Sequence, residues 1–226
     1  MLLPYLPHLN TKKIVLASAS PRRHELLAKQ LGLRFEVVVS SFEETLDKSK
    51  YRWPDGEGAA RYAIDTAKGK ALDVYRVTME KPTQIPDLLI GADTVVEHDG
   101  DILEKPDDAD MARSMLSRLS GGQHHVHTGV VIILPKAKDA SGTAPYIKTF
   151  ASTTTVQFDS LGSEVIDEYI KSGEPFGKAG SYGIQGIAGS FVKGIDGCFF
   201  NVMGFPVHRF AVELAALVKQ GKLPMT

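Results

Sequence analysis

An α/β fold with a mixed, strongly twisted sheet flanked by helices is the class that the sequence predicts. Three observations predict it. Short apolar runs at 14–17, 88–90 and 126–134 end in small, glycine-containing or charged segments, as buried strands do. Segments 58–75, 107–119 and 207–218 carry apolar residues at helical spacing. Strands and helices intermix without the strict alternation of a doubly wound parallel sheet, so both strand senses are expected.

The chain has 226 residues, 43% hydrophobic and 23% charged, enough for one large domain or two closely packed lobes. We take 1–226 as a single domain, with 1–12 as an N-terminal arm. A formal net charge of -1 gives no global basic field for a long nucleic acid. A small phosphorylated ligand, recognised locally, suits that balance better. Cys198 is the lone cysteine, so neither an internal disulfide nor a Cys-x-x-Cys metal pattern is possible. A reducing, cytoplasmic compartment follows. No run approaches the roughly 18–20 apolar residues that span a bilayer, so no membrane association is expected. Pro4 and Pro7 interrupt the apolar start, and no charged segment precedes it, which makes a poor signal peptide.

Taken in order, 14–17 reads as a buried strand. Ser20 can cap the next helix, with Pro21 at its first position and Gly32 ending it. Residues 35–39 read as a second strand. A helix from Gly58 to about Tyr75 puts Ala63, Ala67, Ala71 and Leu72 on one side, and 77–87 reads as a surface connection. A strand at 88–90 runs through Gly91-Ala92-Asp93-Thr94 into Val95-Val96. A helix over 107–119 turns Met111, Met115, Leu116 and Leu119 inward. Strands are expected at 126–134 and 149–158, with a polar insertion at 136–145 between them. Ser163 starts a helix to Lys171, a glycine-rich stretch covers 173–204, and a last helix covers 207–218.

Four constellations carry chemistry. Ser18-Ala19-Ser20-Pro21-Arg22-Arg23 is a strand-to-helix turn. Free N–H groups and the partial positive charge of a helix N-terminus attract phosphate, and two arginines add forked donors. Alone, it also fits an ordinary capped helix. Asp93 follows a short apolar strand, where ligand crevices form in open sheets, and suits a metal ligand or proton acceptor. Alone, it also fits a turn aspartate. Lys70 and Lys105 gain meaning only if they converge on the same phosphates. The stretch 173–186 brings backbone close to a ligand, and Gln185 is both donor and acceptor, suited to one edge of a base. His124, His125 and His127 do not make a zinc site, because His124 faces away from the other two on a strand and no third ligand is evident.

In this order and spacing, the motifs resemble the Maf family of nucleotide pyrophosphatases. They are the Ser18–Arg23 signature, Gly91-Ala92-Asp93-Thr94-Val95, Glu104-Lys105-Pro106, His124-x-Val126-x-Thr128-Gly129-Val130, Lys178-Ala179-Gly180-x-Tyr182-Gly183-Ile184-Gln185-Gly186 and Gly204-x-Pro206. The resemblance implies a fold shared with inosine-triphosphate pyrophosphatases, two lobes around a central cleft, and a homodimer. It implies Mg²⁺ or Mn²⁺ dependence and cleavage between the α and β phosphates. By matching position, Asp93 takes the family's proton-acceptor role and, with Glu44, holds the metal. Ser18, Arg22, Arg23, Lys70 and Lys105 fall on positions used around phosphate and metal. Arg22, Thr94 and Gln185 match the branch acting on dTTP and UTP rather than the 7-methyl-GTP branch, which has tryptophan, glutamine and glutamate there. The competing expectations are 7-methyl-GTP hydrolysis, or a nucleotide-binding regulator of cell division or septum formation with little turnover. The arm, 77–87 and 136–145 look longer than in compact members of the family, and His24 stands where glutamine or another polar residue is expected.

Overall fold

The computed structural model describes residues 1–42, 45–52, 57–80 and 85–224. These residues form a seven-stranded mixed sheet. Strand β1 (Ile14–Ala17) is wholly buried and pairs in parallel with β2 (Glu36–Val37) and β3 (Leu88–His98). Beyond β3 every pairing is antiparallel: to β4 (Asp101–Leu103), to β5 (Gln123–Lys138), from β5 to β6 (Pro145–Phe158), and from β6 to β7 (Val192–Asp196). The order is β2-β1-β3-β5-β6-β7, with β4 attached to β3. The helices are α1 (Leu6–Leu9), α2 (Pro21–Glu25), α3 (Glu57–Met79), α4 (Ala109–Leu119), α5 (Ser163–Lys171), α6 (Phe199–Met203) and α7 (Val207–Lys219).

Strand alternation decides which side chains meet which layer. Leu89, Gly91, Asp93 and Val95 point toward α3, whose small Ala63, Ala67 and Ala71 let it lie close. An added Cβ on Gly129 would stand 2.4 Å from the α3 backbone at Ala63, and one on Gly91 would stand 2.8 Å from Ala67 O. Helix and sheet therefore touch nearly backbone to backbone.

The opposite face holds two apolar cores. One gathers Ile90, Ala92, Val130 and Ile132 under Leu26 and Leu27 just past α2, under α7 and under the N-terminal arm, which contributes Leu2 and Leu9. The other gathers Val96, Val126, Val156 and Phe158 under α4, α5 and the glycine-rich stretch. A buried polar belt separates them. Thr94 and Thr128 face each other with hydroxyls 3.0 Å apart. Thr128 donates to Asn201 O at 3.2 Å, and Asn201 Nδ2 donates to Val126 O at 2.9 Å and Thr154 Oγ1 at 3.1 Å. Apolar side chains cannot satisfy such groups, so the belt ties the α6 segment to the sheet between the two cores.

Several expectations change. Helix α3 runs on to Met79, so the first residues of the expected 77–87 connection are helical. The second strand shrinks from 35–39 to Glu36–Val37, because the chain turns away to hydrogen-bond Asp73 through Ser40 and Ser41. Met111 is exposed, and Ala112 packs in its place. Strands β5 and β6 extend into the expected 136–145 insertion, leaving 139–144 as the turn.

Two buried histidines make stability depend on pH. His124 is held down to about 3 by burial and then by His98 and His125. His127 is held down to about 4, again chiefly by burial, with Glu97 opposing. Both bind protons less readily folded than unfolded. Their contribution is fully present above the ordinary histidine value of 6.5 and is lost as pH falls toward 4 and then 3. We expect a lower thermal midpoint near pH 5 than near pH 7.5, and a weaker dependence in His124→Gln. A flat midpoint across that interval would contradict the burial of these rings.

Candidate active site

Strand β1 stops at Ala17 while its neighbour β3 runs on, and a cleft of about 380 Å³ opens there. This is the crevice expected beyond the carboxyl ends of parallel strands. One wall is the turn from β1 into α2. Ser20 Oγ accepts from Arg23 N at 3.4 Å, and Pro21 occupies the first helical position. The turn thus points backbone N–H groups and Arg22 toward the cleft.

Arg23 is buried and fully engaged. Its Nε donates to Gly204 O at 2.9 Å, one terminal nitrogen to Ser18 Oγ at 3.2 Å and the other to Thr94 Oγ1 at 2.9 Å. The fork joins the α2 turn, β3 and the segment after α6, the last of which rests on the polar belt. Thr94 is likewise tied, to Arg23, Thr128 and Gly204 O.

Asp93 points to the other side of β3, toward α3. Its Oδ1 accepts from Lys70 Nζ at 2.7 Å, and both side chains are largely buried, 9% and 14% exposed. The close seating of α3 on Gly91 and Gly129 makes that reach possible. Lys105 enters from the β4–α4 connection. Glu104 beside it bonds Tyr62 of α3 at 2.7 Å, pairs with Lys48, and accepts from Gly180 N at 3.0 Å. That last bond sets Lys105 next to the glycine-rich segment.

Ser18, Arg22, Arg23, Lys70, Asp93, Thr94 and Lys105 therefore line one cleft. Gln185 does not: it is exposed, two residues beyond Gly183, which packs against Arg22. Glu44 lies outside the described residues. Among the lining residues that had no assigned role are Lys178 and Tyr182. Tyr182 is fixed by His124 Nε2 at 2.8 Å. A lysine alone between Gly177 and Ala179 was the available signal for Lys178; nothing in the sequence marked Thr128 and Asn201 as a pair.

Charge is the dominant property of the cleft. Five cations, Arg22, Arg23, Lys70, Lys105 and Lys178, face one carboxylate among the described residues, Asp93. Arg22, Lys105 and Lys178 make no ion pair with a described carboxylate. Burial lowers the pKa of the Arg22 guanidinium, with Tyr169 acting the other way. Burial also lowers that of Lys178, and Arg22 beside it lowers it further. Such a cleft stabilises a multiply charged anion.

The chain is similar to several known proteins. The human probable bifunctional dTTP/UTP pyrophosphatase/methyltransferase protein is 47% identical over 217 residues, 96% of this chain. The chain spans only 34% of that relative's length. A dTTP/UTP pyrophosphatase of Clostridium perfringens is 43% identical over 87% of this chain and 93% of its own length. One from Chromobacterium violaceum is 43% identical over 91% of this chain and 95% of its own. A solved Ham1 protein from Coxiella burnetii aligns with 91% of this chain at 14% identity and a TM-score of 0.38, too distant to carry an argument. The profile of the Maf-like proteins matches residues 13–217, and with relatives of this identity and coverage the chain belongs to the Maf-like family.

Proposed function

We propose that this chain is a nucleoside triphosphate pyrophosphatase that cuts dTTP, UTP or modified pyrimidine triphosphates to the monophosphate and pyrophosphate. The observation that carries the reading is the five-to-one excess of cations over carboxylate in a single cleft. A triphosphate brings about four negative charges near neutral pH, which such a cleft neutralises. The relatives' printed names point to the same substrates.

Asp93, fixed by Lys70, orients and deprotonates the attacking water. Arg22 and Lys105 take charge from the departing pyrophosphate. Ser18 and Arg23 hold the turn that presents Arg22. The donor set fits a hard divalent cation. Asp93 offers a carboxylate, and among the described residues neither thiol nor imidazole lines the cleft. Asp93 and Glu44 would hold Mg²⁺ or Mn²⁺, which neutralises phosphate charge when bound. The proposal extends to a cytoplasmic homodimer. Among the described residues no helix is long and apolar enough to cross a membrane.

Gln185, exposed and outside the cleft lining, is assigned to the base for its amide edge, while Thr94 and Arg22 line the cleft itself. The test measures pyrophosphate release and kcat/KM for dTTP, UTP, CTP, GTP and 7-methyl-GTP, with Mg²⁺, Mn²⁺ or chelator. The wild type favours dTTP or UTP. Gln185→Glu loses part of that preference, because a carboxylate cannot donate to a base carbonyl. Fastest turnover of 7-methyl-GTP would remove the pyrimidine assignment, and no turnover of any triphosphate would remove the enzyme.

A further inference from the structure

Lys178 lines the same cleft as the Lys70–Asp93 pair and has no role in the proposed reaction. Its surroundings are built with care. Gly183 packs against both Lys178 and Arg22: an added Cβ would stand 2.9 Å from Lys178 Cδ and Cε and 3.6 Å from an Arg22 terminal nitrogen. The missing side chain lets the two cations share one small region. Two like charges repel there, and burial raises the cost of both.

The neighbouring carboxylate is directed elsewhere. Glu174 Oε1 accepts from Tyr169 at 3.1 Å, and Oε2 accepts from Ile187 N at 3.0 Å. Lys178 Nζ donates instead to the Glu174 carbonyl oxygen. Glu174 thus clamps the glycine-rich segment and aims Lys178 through its carbonyl, while its carboxylate acts on the ammonium only through space, opposing burial and Arg22. Tyr169, the other titratable group facing Arg22, is held neutral, its pKa raised by burial and by Glu174.

We propose that Lys178 is a substrate-binding residue that joins Arg22 in a two-cation subsite for the phosphate chain, holding the end that departs as pyrophosphate. This rests on the pyrophosphatase reading for the identity of the substrate, but not for the chemistry of the subsite. A neutral base carbonyl asks for one donor and gains little from two adjacent charges. A phosphate group, with several charged oxygens, takes both.

The test uses the full chain with inorganic pyrophosphate as the probe, by calorimetry, beside kcat and KM for UTP. Lys178→Gln weakens pyrophosphate binding by roughly 10–100-fold, the loss of one charge-assisted bond, and raises KM for UTP in parallel. Lys178→Arg keeps most of the affinity. Gly183→Ala leaves every charge in place but pushes the Lys178 stem aside, and weakens pyrophosphate binding in the same direction. Circular dichroism checks each fold, and Gly183→Ala decides the matter if Lys178→Gln does not fold. Unchanged pyrophosphate affinity in folded Lys178→Gln overturns the proposal. So does a change in the UTP-to-CTP ratio without a change in pyrophosphate affinity, which would make Lys178 a base reader. Lys178-dependent pyrophosphate binding in a protein that never hydrolyses UTP supports the subsite while removing the proposed activity.

Discussion

Asp93→Asn reduces turnover by about 10²–10⁴-fold, the range for loss of a positioned general base. The carboxamide keeps the size of the side chain and loses both its charge and its ability to take a proton. Asp93 sits on β3 opposite Gly129, facing α3, with Lys70 at 2.7 Å. The substitution leaves the Lys70 ammonium beside a neutral oxygen, so the thermal midpoint drops as well. The fold survives, since Lys70 lines an open cleft and water can reach it. Rates for UTP and a far-UV circular dichroism spectrum separate the two effects. A native spectrum with turnover within a few-fold of wild type would remove Asp93 from the chemistry. Lys70→Met complements the experiment. It takes away the partner that fixes Asp93, and a slower enzyme with a shifted pH profile identifies Lys70 as the group that sets the carboxylate's proton affinity.

The elements carrying the site's first half were legible because their signals are local. A four-residue apolar run, a Ser-x-x cap and a proline at the first helical position specify β1 and α2 within a dozen residues. Asp93 was legible as an acid just past the apolar run 88–90, although β3 does not stop there and runs through Asp93 to His98. What was not legible is tertiary. Thr94, Thr128 and Asn201 lie far apart in sequence and meet only once β3, β5 and α6 are assembled. Arg23 read as a phosphate ligand because a forked donor at a helix N-terminus suits phosphate and its position matches the family's. Its engagement by Gly204, Ser18 and Thr94 shows a part in holding the cleft walls together. Strand β7 carries a glycine and is mostly exposed, so it lacks an apolar alternation; its identity comes from pairing with β6. Gln185 was singled out by its amide in a glycine-rich stretch and by the resemblance, and its exposed position follows from the turn after Gly183, which no periodicity encodes.

Gly129→Ala destabilises the protein by about 3 kcal/mol or more, at or above the upper end of ordinary overpacking. The reason is where the new methyl group lands. Gly129 lies in the middle of β5, paired with Asp93 on one side and Ala151 on the other, so the strand cannot shift without breaking both ladders. The methyl carbon would stand 2.4 Å from the carbonyl carbon of Ala63 and 2.4 Å from the nitrogen of Ile64. These are backbone atoms inside a 23-residue helix, and no side-chain rotation relieves the overlap. Helix α3 has to lift. Lys70 lies two turns further along the same helix, so lifting α3 also draws its ammonium away from Asp93. Stability and turnover therefore fall together, although the residue touches no substrate. For a domain of this size the thermal midpoint drops by roughly 6–12 °C, at about 2–4 °C per kcal/mol. Gly194→Ala is the control, since an added Cβ there meets nothing within 4 Å. Equal midpoints for the two variants would show that α3 does not rest on the sheet as closely as Gly129 requires, and with that the seating of Lys70 against Asp93 would lose its structural cause.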